Sequence, residues 1–210
     1  MPHNILTKKS LIILGVIIVL AGVAGSFLYF KNVGNGVTGG RELARIKKDY
    51  PGLSANVDKV AEWQAKLDKD KADILNYNGL GFAWKDMAEK ALAQKLDNYK
   101  DYYAEALNVY QAGIEASQRK NTLLMMNAAN MARNLGNYSL AEDYMREAIT
   151  VSPGDESYYV SLIELYEFDL KKGKDEVLKV YDEGLKRVLN RTLLQKRKES
   201  YLEKIGEASH

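Results

Sequence analysis

The chain opens on an unbroken apolar run and then becomes periodic. Leu11 to Phe30 reads LIILGVIIVLAGVAGSFLYF and carries no charge. About 20 apolar residues, each rising about 1.5 Å, span a hydrocarbon layer roughly 30 Å thick. This segment therefore predicts a transmembrane helix. Lys8 and Lys9 precede it, and Tyr29 and Lys31 close it with a ring and a cation suited to the interface. Phe27 to Phe30 carries the run beyond the small residues from Ala21 to Ser26, which favours an uncleaved signal anchor over a cleaved signal peptide. Gly22 and Ser26 have the spacing of a small-residue packing face, but nothing else in the sequence argues for a homo-oligomer.

From Ser54 onward, apolar residues recur at steps of three and four. One set is Val57, Val60, Ala61 and Leu67; the next is Ile74, Tyr77, Gly81, Trp84, Ala88 and Ala91. Tyr103, Ala106, Tyr110 and Ile114 repeat the pattern, as do Leu124, Ala128, Met131 and Leu135. Tyr138, Ala141, Met145 and Ala148 follow, then Tyr159, Leu162, Ile163 and Tyr166. Val177, Tyr181, Leu185 and Val188, and finally Leu194, Tyr201 and Ile205, complete the series. Each set marks one face of an amphipathic helix, and no segment alternates with the period of a strand. The fold class is all-α, a chain of helical hairpins.

The breaks between stripes carry helix-end chemistry. Leu135-Gly136-Asn137 offers a left-handed residue to stop one helix. Ser139 with Glu142, and Thr192 with Gln195, have the spacing of capping boxes. Asp155, just after Pro153-Gly154, is placed to cap a further helix. Asn32 to Gly40 is glycine-rich and reads as a flexible tether, and Arg41 to Tyr50 predicts a short helix ending before Pro51. The expected layout is a tail (1–10), a transmembrane signal anchor (11–31), a linker with a short helix (32–52) and a helical-repeat domain (53–210).

Composition narrows the function. With 46% apolar and 28% charged residues a packed core is attainable, and a net charge of +2 is too balanced to argue for nucleic acid. Cysteine is absent, and histidine occurs only at His3 and His210, so thiolate and imidazole chemistry are missing from the folded part. No phosphate-binding loop, HExxH or GxSxG motif occurs. Glu164 and Glu167 share a helical face, but solvated charge explains them better than acid–base work. No catalytic residue, metal site or cofactor is expected. Lys171 to Lys198 holds ten Lys or Arg against four Asp or Glu, a balance that could attract anionic headgroups or an acidic partner, but pairs such as Glu183 and Arg187 make a solvated helix face the better reading.

Thr122 to Asp155 resembles a tetratricopeptide repeat (TPR) over its full 34 residues. The resemblance rests on Ala129, Leu135-Gly136-Asn137-Tyr138 at the turn, Ala141 and Ala148 in the second helix, and Pro153 at the exit. It continues in degenerate form from Ala72 to Asn190, with Met87 to Lys100 longer than the family pattern, and Thr192 to Glu207 looks like a capping helix. The resemblance implies a right-handed superhelical stack of hairpins whose first helices line a concave groove. By that register the groove residues are Asn78, Phe82 and Lys85, then Asn127, Asn130, Arg133 and Asn134, then Val160, Glu164 and Glu167. The family's carboxylate clamp needs a lysine where this chain has Met126, so binding of C-terminal carboxylates is not expected.

The expected protein is thus a single-pass, membrane-anchored protein–protein interaction module, an adaptor or assembly factor that takes a peptide or partner protein in its groove. The alternative is a permanent subunit of a membrane or envelope complex. Lys8 and Lys9 favour a cytoplasmic N-terminus, which puts the C-terminal domain on the extracytoplasmic side of the cell (inner) membrane.

Overall fold

A computed structural model describes residues 40–206. The predicted transmembrane segment 11–31 lies outside these residues, and among the described residues no helix is long and apolar enough to cross a membrane. The described chain is helical from end to end: α1 (Gly40–Asp49), a 3-10 turn (Pro51–Leu53), α2 (Ser54–Lys69), α3 (Ile74–Ala93), α4 (Tyr99–Ala116), α5 (Thr122–Asn134), α6 (Tyr138–Val151), α7 (Glu156–Glu164), a π turn (Leu165–Asp169), α8 (Lys174–Arg187) and α9 (Thr192–Lys204).

Short polar side chains start four of the helices. Asp73, Asn121, Asn137 and Asp155 each accept a bond from a free backbone N–H in the first turn of the helix they precede, at 2.9–3.3 Å. Two expected caps are corrected. Ser139 does not begin a helix; Asn137 caps α6, and Glu142 instead accepts from Arg146 Nε at 3.0 Å. Thr192 is likewise inside α9, whose first turn is held by Asn190 accepting from Thr192 N at 3.1 Å and by Glu156 of α7 accepting from Leu194 N at 2.7 Å.

The expected stop at Gly136 is present. Its φ is +78°, Asn137 N donates to Ala132 O at 2.8 Å, and Gly136 N donates to Arg133 O at 2.9 Å, which is the paired closure of a Schellman end. The long stretch from Met87 to Lys100 is absorbed by lengthening both helices of the hairpin, with α3 running 20 residues and α4 running 18. After α7 the chain passes into the π turn, where Leu170 N reaches Leu165 O at 2.9 Å.

Successive helices pack against one another, and side-chain bonds order them into two rows. In the first, Asn127 of α5 donates to Asn78 of α3 at 2.9 Å, Tyr158 of α7 donates to Thr122 of α5 at 2.8 Å, and Arg197 of α9 bonds Glu164 of α7 at 2.8 Å. In the second, Gln111 of α4 donates to Tyr144 of α6 at 3.1 Å, and Arg119 beyond α4 grips Glu147 of α6. Between the rows runs a continuous core. Tyr110, Tyr159, Tyr181, Met87, Met125 and Met145 are fully buried in it, and burial of such side chains contributes about 1.5–3 kcal/mol each. Ala61, expected on the inner face of α2, is exposed. The short helix expected within the linker, α1, buries Leu43 and Ile46 and ties Lys47 to Asp58 of α2 at 2.7 Å.

Candidate binding face

The first row, α3, α5, α7 and α9, presents the face on which the expected groove residues fall. Asn78, Phe82 and Lys85 are spaced along α3, and Asn127, Asn130, Arg133 and Asn134 along α5. Val160 and Glu164 follow on α7, and Glu167 lies in the π turn.

The polar residues on this face are of two kinds. Asn78 and Asn127 bond each other. Lys85 pairs with Glu89 at 2.6 Å and stands 5.5 Å from the Phe82 ring centroid. Arg133 donates to Asp169 Oδ2 at 2.5 Å. Glu164 is held by Arg197, and Glu167 accepts from the Tyr181 hydroxyl at 3.3 Å. Each of these charges already has a neighbour of opposite sign or a donor from the fold itself. By contrast Phe82, Asn130 and Asn134 are open to solvent.

Sequence reasoning missed the apolar partners of Phe82. Leu75 is 69% exposed and Phe82 59%, and Leu92 is also exposed, so the outer stripe of α3 reads Leu75, Asn78, Phe82, Lys85, Glu89, Leu92 at steps of three and four. Leu123, 54% exposed, stands one turn before Asn127 on α5. The signal was available: counting back in the register of Phe82 and Asn127 reaches both leucines. The face is therefore neutral in character, made of leucines, a phenylalanine and amides, with its ions paired inside the chain.

A cleft lies where α1 meets α3 and α4. It has a volume of about 270 Å³ and is lined by Ile46, Tyr50, Trp84 and Tyr102, by Asn98, and by Glu42, Asp49, Asp101, Glu105 and Arg45. Arg45 is bound to Glu42 at 2.5 Å. Burial pushes the Tyr102 hydroxyl up to about 12, with Tyr50 adding to the rise. Burial, reinforced by Asp101, also raises the Glu105 carboxyl. No sequence signal pointed to this cleft, because α1 contributes through its tertiary position.

Among solved structures, the chain is similar to a thermophilic TPR protein of Thermus thermophilus, with 19% identity and a TM-score of 0.53 over 94% of this chain and 100% of that one. It also matches YrrB, a TPR protein with an unusual peptide-binding site, with 17% identity and a TM-score of 0.38 over 80% of this chain and 96% of that one. No family model and no curated protein matches the sequence. The first likeness is one of fold: the chain is an all-α helical-repeat stack like those of TPR proteins.

Proposed function

We propose that this protein is a membrane-tethered interaction module that binds a peptide or partner protein on the first-row face, and that it acts by binding and not by catalysis. The observation that carries the reading is the open surface of α3 and α5. Phe82 with Leu75 and Leu123 gives apolar anchoring area, and Asn130 and Asn134 give amides free to bond a partner's backbone. The absence of histidine between His3 and His210, and of any cysteine, supports the non-enzymatic reading.

The uncharged run from Leu11 to Phe30 supports the tether, and Lys8 and Lys9 support an extracytoplasmic C-terminal domain. A tether raises the concentration of the face beside the membrane, so modest contacts suffice for occupancy.

A photo-reactive side chain placed at Phe82 or Asn130 of the full chain in cells should form partner crosslinks that are absent when the same group replaces Asp143 on α6. Equal labelling at all three positions would refute the assignment of this face. Protease added to sealed cells should digest the C-terminal domain; protection would reverse the orientation.

A further inference from the structure

The basic stretch near the C-terminus divides sharply. Residues 171–183 carry four cations (Lys171, Lys172, Lys174, Lys179) and four acids (Asp175, Glu176, Asp182, Glu183), whereas residues 184–198 carry six cations and no acid. The acid-free part folds as the end of α8, the turn after it and the start of α9. Arg187 pairs with Glu183 at 3.7 Å, Arg197 with Glu164 at 2.8 Å and Lys198 with Asp182 at 2.6 Å. Lys186, Arg191 and Lys196 are exposed, and no ion-pair partner for them occurs among the described residues.

Two leucines stand among these three cations. Leu189 is 97% exposed and Leu193 45% exposed, while Val188 and Leu194 beside them are buried and fix the turn to the core. Turn tips normally carry Gly, Asn, Asp or Pro for conformational reasons, and a single exposed leucine means little. Two leucines held outward between unpaired cations match a bilayer interface instead: the apolar side chains enter the headgroup boundary and the cations meet anionic headgroups.

We propose that the α8–α9 turn, residues 188–193 with Lys186, Arg191 and Lys196, docks onto an anionic lipid surface. The proposal rests on the tethered reading above, because a chain already anchored in the bilayer needs only a weak second contact to lie down on it. Docking there would fix how the binding face is presented relative to the membrane.

The chain has no cysteine, so Leu189→Cys provides a unique site for an environment-sensitive fluorophore. The full chain is reconstituted into vesicles of phosphatidylcholine, or of phosphatidylcholine with roughly a third phosphatidylglycerol to supply anionic charge. The label should shift to the blue and resist aqueous iodide in the anionic vesicles only, while a label at Asp143→Cys stays aqueous in both. Arg191→Gln with Lys196→Gln should lower the docked-to-free ratio about 25-fold, about fivefold for each cation. A Leu189→Cys label that remains aqueous in anionic vesicles overturns the proposal. So does a label that responds only when an acidic protein is added. Loss of the chain from neutral vesicles would instead overturn the anchor reading, and the anionic arm would still report on the turn.

Discussion

Arg133, in the last turn of α5, donates from Nε to Asp169 Oδ2 in the π turn at 2.5 Å, across 36 residues of sequence. Both side chains are half-buried, so the pair is shielded more than a surface ion pair and less than a core one. It clasps two first-row helices where the π turn swings Asp169 toward α5. A double-mutant cycle with Arg133→Met and Asp169→Asn should give a coupling of about 1 kcal/mol in urea denaturation. A coupling indistinguishable from zero would remove the clasp. Reversal of charge at Arg133 disturbs the stack itself, so Phe82 and Asn130 are the cleaner probes of partner binding.

A Cβ added at Gly81 would overlap the ring of Tyr110, which is itself fully buried. Alanine gains about 1 kcal/mol of helix propensity over glycine, but overpacking a rigid core site costs about 1–3 kcal/mol. Gly81→Ala is therefore expected to lower stability in chemical denaturation. Gly154→Ala meets no neighbouring atom and should be close to neutral. If both variants match the parent, α3 and α4 are not in the close approach described.

Hairpin architecture was readable wherever the helical period was reinforced by a residue with a local role. Gly136 stopped α5 and Asp155 capped α7 as their sequence contexts implied. The capping boxes misled because their signature is short: Ser139 and Glu142 have the right spacing, but Asn137 comes first and takes the free N–H. Three other helix ends were hidden because lysine, glutamine or arginine fills the left-handed position where glycine would have announced it, at Lys95, Gln118, Arg119 and Lys171. On the candidate face, Phe82 and Asn130 are exposed. Whether a charge such as Arg133 or Glu164 is free or neutralised depends on residues 36 and 33 positions away, which no local pattern encodes.

Lys95 sits at φ 58° while Leu96 N closes onto Ala91 O at 3.0 Å and Lys95 N onto Leu92 O at 2.9 Å. An L-residue is disfavoured in this region by about 1–2 kcal/mol, a cost glycine does not bear. Lys95→Gly should stabilise the protein by roughly 0.5–1 kcal/mol after allowing for glycine's larger freedom in the unfolded chain. A loss of stability by thermal or urea unfolding would contradict the left-handed end.

Burial and the nearby Asp101 raise the Glu105 carboxyl above the ordinary glutamate range. A proton is thus bound more tightly in the folded chain than in the unfolded one. The stability this contributes is present in full below the unfolded pKa and is lost as pH rises through the folded value. Glu105→Gln, which keeps the shape and cannot ionise, should raise the melting temperature at pH 7 and leave it nearly unchanged at about pH 4, below the ordinary glutamate pKa. An equal shift at both values would assign the effect to packing instead of charge.

Glu156 serves two helices at once. It stands in the first turn of α7, and its Oε1 accepts from Leu194 N at 2.7 Å, capping α9 from outside. A carboxylate at that position satisfies a free N–H and meets the positive end of the α9 dipole, and loss of such a cap costs about 0.5–2 kcal/mol. Glu156→Ala should therefore speed hydrogen exchange in the first turn of α9 while leaving α3 and α4 protected. Asn190 still caps Thr192, so α9 should loosen at its start and not detach. Glu156→Gln retains an acceptor but no charge, and should recover part of the protection. Unchanged exchange in the alanine variant would show that the bond from Glu156 contributes nothing to the start of α9.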